Sequence, residues 1–226
     1  MNITLPPPPN WIYNSLKKIQ KEPHGKTKCA IVAGILDSTF GLRSFIKKSI
    51  IQAGPNQPIS KLGKSKFGLG FLISNTSGHV VSSMNLESEK SQFLIPVAAS
   101  TIPLSVEFFT RNLLTNTPRT SALIVPLLAR ETSYWAGVSY SYNTETNWTQ
   151  SLATQLLFSG IIANVFDTAA GITSSKKLTM KELCNLNNNK SFKAIYFESL
   201  PIRILTAVLI PWACINAVNY KPPNEV

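Results

Sequence analysis

The stretch Ala129-Arg130-Glu131-Thr132-Ser133-Tyr134-Trp135-Ala136, followed by Tyr142, reads as an apolar helix interrupted by one arginine–glutamate pair. The stretch Ile210-Pro211-Trp212-Ala213-Cys214-Ile215, followed by Tyr220, has a similar residue pattern but lacks the two charged residues. A third copy ends at Leu86-Glu87-Ser88-Glu89-Lys90. Three similar units in one chain favour a fold built from repeats.

The composition favours a membrane protein over a soluble one. Of the 226 residues, 44% are hydrophobic and only 15% are charged, whereas soluble domains carry about 25% charged residues. Aspartate occurs only at Asp37 and Asp167, so the chain lacks the acids that normally cover a water-facing surface. The mean hydropathy of +0.07 is low for a membrane protein. The spans are therefore expected to be amphipathic helices that line a wet cavity.

Six segments are long enough to cross the hydrocarbon core as helices, which takes about 17–25 residues. They run from about 29 to 51, 67 to 84, 93 to 114, 120 to 142, 152 to 172 and 201 to 220. Residues 1–27 form a Pro-rich, basic N-terminal segment, and residues 222–226 form a tail. The predicted fold is an all-α membrane protein with six transmembrane helices around a central cavity. The helices form three tandem two-helix repeats, at about 28–90, 91–148 and 149–221.

Basic residues alternate between the connections, as a six-span topology requires. The connections on one side carry most of them, and the other side has Lys90 beside Glu87 and Glu89, and later Glu145 alone. A net charge of +11 also suits a soluble protein that binds nucleic acid. The basic residues lie between long apolar segments, however, so we expect contact with acidic phospholipids and no binding of nucleic acid.

Three polar residues recur at similar intervals inside the predicted spans. Asp37, Ser105 and Asp167 are separated by 68 and 62 residues. An ionisable group within a span is a functional candidate because lipid penalises charge. The alternative is that these residues cap helices or lie at the membrane edge.

Several segments resemble the motifs of the mitochondrial carrier family over about residues 28–221. The run Tyr196-Phe197-Glu198-Ser199-Leu200-Pro201-Ile202-Arg203 is similar to the start of an even-numbered carrier helix. The segment from Leu127 to Tyr142 resembles the fourth helix, and Leu86 to Lys90 resembles the motif of the cytosolic gate. Pro103 matches the proline of the odd-helix motif Pro-x-Asp/Glu-x-x-Lys/Arg, although Ser105 replaces its acid.

The chain departs from the family pattern in length and in charge. Asp37 and Asp167 match the motif acid, but Phe40 and Ala170 stand where the motif has a base. These acids therefore lack their usual partners unless Arg43, Arg111 or Lys176 reaches them. The repeats are also shorter than the family's, so the matrix segments between the paired helices must be short.

The resemblance implies a monomeric transporter that moves a small metabolite by alternating access. The implied gate residues are Asp37, Glu87, Lys90, Ser105 and Asp167, and the implied substrate-binding residues are Ser74, Asn75, Arg130 and Glu131. An arginine–acid pair at the midplane suits an amino acid or another zwitterion, because a guanidinium can bind a carboxylate with two bonds. A nucleotide stays possible, and Arg130–Glu131 is alternatively a structural pair between helices.

An enzymatic function has little support in the sequence. His24 and His79 lie far apart without other ligands at metal spacing, and no phosphate-binding glycine loop is present, so neither a metal nor a cofactor is expected. The resemblance implies the mitochondrial inner membrane. The alternatives are a bacterial inner-membrane protein, a bacterial mimic of a carrier secreted to host mitochondria, and a carrier-fold adaptor or effector that transports nothing.

Overall fold

The computed structural model describes residues 10–53, 61–84, 94–114, 121–143, 148–176 and 190–219. Within these ranges the chain forms helices and short turns, and none of the described residues lies in a strand. The all-α prediction is therefore confirmed. The predicted gate residues Glu87 and Lys90 lie outside the described residues.

One short helix precedes six long ones. Helix α1 spans Asn10–Lys21, and a turn in which His24 has φ 60° leads into α2. The long helices are α2 (Gly25–Ala53), α3 (Lys61–Ser82), α4 (Leu94–Leu114), α5 (Ser121–Asn143), α6 (148–176) and α7 (190–219). At about 1.5 Å per residue, even the 21 residues of α4 reach the roughly 30 Å of a hydrocarbon core.

Each of the last two helices contains a π-helical segment. In α6 this segment is Leu156–Ile162, and the N–H of Ala163 donates to the carbonyl of Phe158, five residues back. In α7 it is Ile204–Leu209, and the N–H of Ile210 donates to the carbonyl of Leu205. Pro211 follows directly and has no N–H to give, so the wider turn before it relieves the clash that a proline causes in an α-helix.

The six long helices pack as consecutive antiparallel neighbours. Each contacts the next one in the sequence, and α7 returns to contact α2, which closes a ring. Beyond these neighbours, α5 contacts α3 and α7, and α2 contacts α4 and α6, so side chains of α5 and α2 reach the interior. We call the end of the bundle that holds α1 and the start of α2 the proximal end, and the opposite end the distal end.

An apolar cluster closes the proximal half of the ring. Trp135 and Tyr142 of α5 pack there with Ala33 of α2 and Ile215 of α7, and Leu16 of α1 joins them. Small residues permit this close packing. A side chain at Gly78 would meet the Trp135 ring, and one at Gly34 would lie 2.7 Å from Cα of Thr76.

The distribution of polarity differs from that usual in a water-soluble bundle. The buried side chains include as many polar or charged residues as apolar ones, whereas large apolar residues are exposed along every long helix. Examples of the exposed set are Phe40, Ile73, Val125, Leu157 and Leu205. An apolar exterior of this extent indicates an interaction surface or a lipid-facing one.

Composition marks two of the helices as candidate membrane spans. Within the described residues, the stretches Thr149–Thr173 and Phe192–Ala217 are both long and apolar enough to cross a bilayer, and Leu94–Ser105 is a shorter apolar helix. One or two such helices are a weak indication of a membrane. The other long helices carry more polar residues, in keeping with the low mean hydropathy. The prediction of six spans in three repeats is therefore supported in its helical content only.

Candidate functional site

Two groups of buried and half-buried polar side chains occupy the interior of the bundle. The first, which we call the charged cluster, consists of Arg130, Glu131, Asp167 and Arg203. The second, which we call the Asp37 cluster, consists of Asp37, Asn75, His79, Tyr134 and Tyr142. Both groups use side chains of α5.

The charged cluster joins α5, α6 and α7 through alternating charges. Arg130 binds Oε1 of Glu131 with Nε at 3.0 Å and Nη2 at 2.5 Å, and its Nη1 lies 3.4 Å from Oδ1 of Asp167. Arg203 donates from Nη1 to Oδ2 of Asp167 at 3.2 Å. The side chains of Arg130 and Asp167 are only 7% and 6% exposed. Two positive and two negative charges thus balance away from water.

Backbone carbonyls complete the surroundings of the charged cluster. Arg203 donates from Nε to the carbonyl of Ser159 at 2.9 Å, and the Ser159 hydroxyl donates to the carbonyl of Tyr134, also at 2.9 Å. Ser159 lies in the π-helical segment of α6, where the altered hydrogen-bond register leaves carbonyls available for other donors. Trp135 donates from Nε1 to Oε2 of Glu131 at 3.2 Å, so both oxygens of that carboxylate are bound.

The Asp37 cluster is organised around one carboxylate oxygen. Oδ2 of Asp37 accepts hydrogen bonds from Nδ2 of Asn75 at 2.7 Å, from the Tyr134 hydroxyl at 3.0 Å and from Nε2 of His79 at 3.1 Å. The other ring nitrogen of His79 lies 2.9 Å from the hydroxyl of Tyr142. His79 is fully buried, and the rings of Trp135 and Tyr142 meet it edge-on.

The substrate-binding residues predicted from the sequence fall into different surroundings. Arg130 and Glu131 bind each other and belong to the charged cluster. Asn75 is buried against Asp37 and also donates to Ser38 at 3.2 Å. Ser74 is buried but bonds back to the carbonyl of Phe71 in its own helix at 3.1 Å. The structure brings Arg130 and Glu131 together and places Asn75 in the other cluster.

The predicted gate residues also separate. Asp37 and Asp167 are buried, and each has several partners, whereas Ser105 is exposed on α4. The prediction that Asp167 lacks a basic partner unless Arg43, Arg111 or Lys176 reaches it was wrong, because Arg130 and Arg203 both approach it. The side chains of Arg43, Arg111 and Lys176 lie outside the described part of the chain. The gating roles themselves stay predictions.

Two residues of the clusters were not among the site residues predicted from the sequence. Arg203 was identified within the carrier-like run from Tyr196, and in the structure it binds Asp167. His79 was considered as a metal ligand and set aside, and in the structure it bonds residues of two other helices. The signal for Arg203 was its place in the carrier-like run from Tyr196, because a base in a span calls for an acid partner.

Outside the bundle interior, an ion pair among the described residues links the turn after α1 to α2. Lys28 donates from Nζ to Oε2 of Glu22 at 2.6 Å, and both side chains are largely exposed. The hydrogen bond and the charge of Lys28 lower the pKa of Glu22. The described N-terminal helices add basic residues to the proximal end of the bundle. The difference in basic charge between the two ends is therefore smaller than the connections alone indicate.

The described residues contain no group of three or more metal-ligating side chains suited to a metal ion. Comparison with known proteins adds no relative, because no family model, curated protein or solved structure matches the chain. The arrangement of the site is therefore interpreted from its own chemistry.

Proposed function

We propose that this chain is a membrane protein with six transmembrane helices and that it transports a small metabolite by alternating access in the manner of the carriers it resembles. The observation that carries the proposal is the charged cluster inside a bundle whose outer surface is apolar. Unpaired charges cost about 2.5–3.5 kcal/mol each at the centre of a bilayer, so charges retained inside a bundle of this kind usually serve the passage of a solute.

The charged cluster also supports a class of solute. Arg130 and Arg203 converge on one carboxylate, and Glu131 is held beside them. A solute with a carboxylate and an ammonium group has the complementary charges for an arginine and an acid in that geometry. An amino acid or another zwitterion is therefore the proposed substrate, ahead of a nucleotide, whose phosphates would require more cations than the described interior supplies.

The proposed membrane is the mitochondrial inner membrane, on the strength of the resemblance alone, with a bacterial inner membrane or secretion to host mitochondria as alternatives. Basic segments at the bundle ends suit contact with acidic phospholipids. A monomer is proposed because one ring of helices encloses its own polar groups.

Insertion is tested by cysteine labelling in a cysteine-free background. Leu205 in α7 and Met84 after α3 have similar exposures of 54% and 50%. In membranes, a membrane-impermeant maleimide is expected to label Met84→Cys and to spare Leu205→Cys, because only the second faces lipid. Equal labelling of the two variants would refute insertion of α7.

Transport is tested by uptake into liposomes of radiolabelled amino acids, carboxylates and nucleotides. Arg130→Ala is expected to reduce uptake at least tenfold, since a charged hydrogen bond contributes about 1.5–3 kcal/mol. Lys193→Ala, at an exposed position of α7, is the control and retains uptake. Protein that is inserted and folded but takes up no solute would contradict transport.

A second candidate function is a carrier-fold adaptor or secreted effector that transports nothing. The observation in its favour is that each carboxylate of the two clusters already has protein partners, and that the apolar cluster around Trp135 fills the proximal half of the ring. Absence of uptake, together with normal insertion, is the result that this candidate predicts.

A further inference from the structure

We propose that the Asp37–His79 pair is a proton-binding site of the bundle and, resting on the transport function proposed above, that one proton moves with the solute. His79 is one of only two histidines in the chain. It lies at zero exposure between α2 and α5 and is not a member of the charged cluster to which the proposed solute binds.

The hydrogen bonds at His79 accept either protonation state of the imidazole. With one proton, on Nε2, the ring donates to Asp37 and accepts at Nδ1 from the Tyr142 hydroxyl. With two protons, the ring still donates to Asp37 and donates from Nδ1 to the Tyr142 oxygen, while that hydroxyl hydrogen turns away. The proton is therefore taken up at Nδ1, and no heavy atom has to move.

The balance of charge in the described interior favours the second proton. Three carboxylates belong to the two clusters and only two guanidinium groups oppose them: Asp37, Glu131 and Asp167 against Arg130 and Arg203. The sum is minus one, and a proton on His79 makes it zero. A buried charge without a counterion is strongly unfavourable, so neutralisation at the Asp37 cluster stabilises the closed bundle.

The other titratable groups around the pair do not replace this proton. Helix α2 supplies Cys29, α5 supplies Tyr134, Tyr142 and Glu131, and α7 supplies Cys214 and, near Tyr134, Arg203. Arg203 is the cation in this set, and it is bound to Asp167. Glu131 is itself bound by Arg130 and Trp135, so the charge left unbalanced in the two clusters is that of Asp37.

A metal cation suits the site less well than a proton. Sodium and similar ions require several oxygen ligands. The groups that approach Oδ2 of Asp37 are the donors of Asn75, His79 and Tyr134. The N–H groups of Asn75 and His79 that are aimed at the carboxylate offer no lone pair to a metal ion, so the hydroxyl oxygen of Tyr134 is the one further ligand among these donors. An imidazole, by contrast, takes up a proton directly.

The first test is thermal unfolding of the full chain in detergent, with the wild type compared with Asp37→Asn from about pH 5 to about pH 9. A folded state that holds the extra proton loses stability relative to the variant as the pH rises. The Tm of Asp37→Asn minus that of the wild type is expected to grow by about 3 °C or more across this range. A constant difference would overturn the proposal. Sodium that raises the wild-type Tm at about pH 8 while the Tm of Asp37→Asn stays unchanged would also overturn it, in favour of a metal ion.

The second test needs no change at the site. In a His24→Gln protein labelled with ¹⁵N-histidine, the two ring nitrogens of His79 report its protonation directly. We expect both nitrogens to carry hydrogen at the acidic end of the range and only Nε2 to do so at the basic end. A ring with a single proton at every pH at which the protein is folded would refute the site.

Transport measurements separate this proposal from the proposed function. A site confirmed by the ring signals together with absent uptake would leave the proton site standing and would reject transport. Uptake that is indifferent to a pH gradient across the liposome, in wild type and in His79→Gln alike, would reject the coupling.

Discussion

Removal of one guanidinium from the charged cluster is the sharpest test of how the bundle is held together. Arg203 contacts Asp167 at 3.2 Å and the Ser159 carbonyl at 2.9 Å. Arg203→Met keeps the apolar length of the side chain and deletes its charge. Asp167 is then left with Arg130, whose Nη1 lies at the longer distance of 3.4 Å.

The expected cost follows from the charge that is left behind. Removing one partner of a buried ion pair costs about 3–5 kcal/mol, whereas an interhelical hydrogen bond in a membrane protein contributes only about 0.6 kcal/mol. The electrostatic loss therefore decides the outcome. For a chain of this size each kcal/mol lowers Tm by about 2–4 °C, so we expect a decrease of roughly 6–20 °C.

The assay is thermal unfolding in detergent, followed by the fluorescence of the four tryptophans. Lys193→Met, at an exposed position of the same helix, is the matched control and is expected to change Tm little. The reasoning would be wrong if the free energy of unfolding of Arg203→Met lay within about 0.5 kcal/mol of that of this control, because surface substitutions usually fall in that range.

A double variant separates charge from packing in the same experiment. Asp167→Asn combined with Arg203→Met removes one charge of each sign and leaves Arg130 paired with Glu131. The double variant is expected to lose less stability than the two single losses combined, by about 0.5–3 kcal/mol. Strict additivity would show that the two side chains do not interact.

Two further predictions concern the contacts of α2 with its neighbours. Gly34→Ala is expected to lower the free energy of unfolding by about 1–3 kcal/mol, because its Cβ would lie 2.7 Å from Cα of Thr76; an unchanged Tm would contradict this close approach. Lys28→Gln is expected to raise the pKa of Glu22 toward its ordinary value, as measured by NMR, since Lys28 holds it low. The contact between the two side chains is present above the ordinary pKa and is lost as the pH falls through the lowered one.

The sequence predicted the long helices well because their limits are marked by local signals. Apolar segments alternate with connections rich in Lys, Asn, Gly and Pro, and helices end where such residues accumulate. The expected span from about 93 to 114 corresponds to α4 at Leu94–Leu114, and that from about 120 to 142 corresponds to α5 at Ser121–Asn143. The last helix begins well before residue 201, because Lys190–Arg203 continues directly into its π-helical segment.

The partners of the buried charges were beyond prediction from the sequence. Asp167 lies 37 residues from Arg130 and 36 from Arg203, and only the packing of α5, α6 and α7 brings the three together. Spacing in a sequence defines which residues share a helix face, but it does not define the rotation of one helix against another. The π-helical segments shift that rotation further, and no local sequence pattern predicted the π-helical segment at Leu156–Ile162.

Helix α5 links the two clusters, and this link bears on both proposals. The Tyr134 hydroxyl donates to Asp37, while its carbonyl accepts from Ser159, whose own carbonyl accepts from Arg203. A movement of α6 and α7 away from α5 therefore disturbs the chain of hydrogen bonds that ends at Asp37. If a solute that opens the charged cluster moves Tyr134, the surroundings of the Asp37–His79 pair change in the same step, because Tyr134 accepts from Ser159 at its backbone carbonyl and donates to Asp37 from its hydroxyl. A proton and a solute are coupled through this shared residue if each binds the two arrangements differently, since any ligand that does so shifts the balance between them.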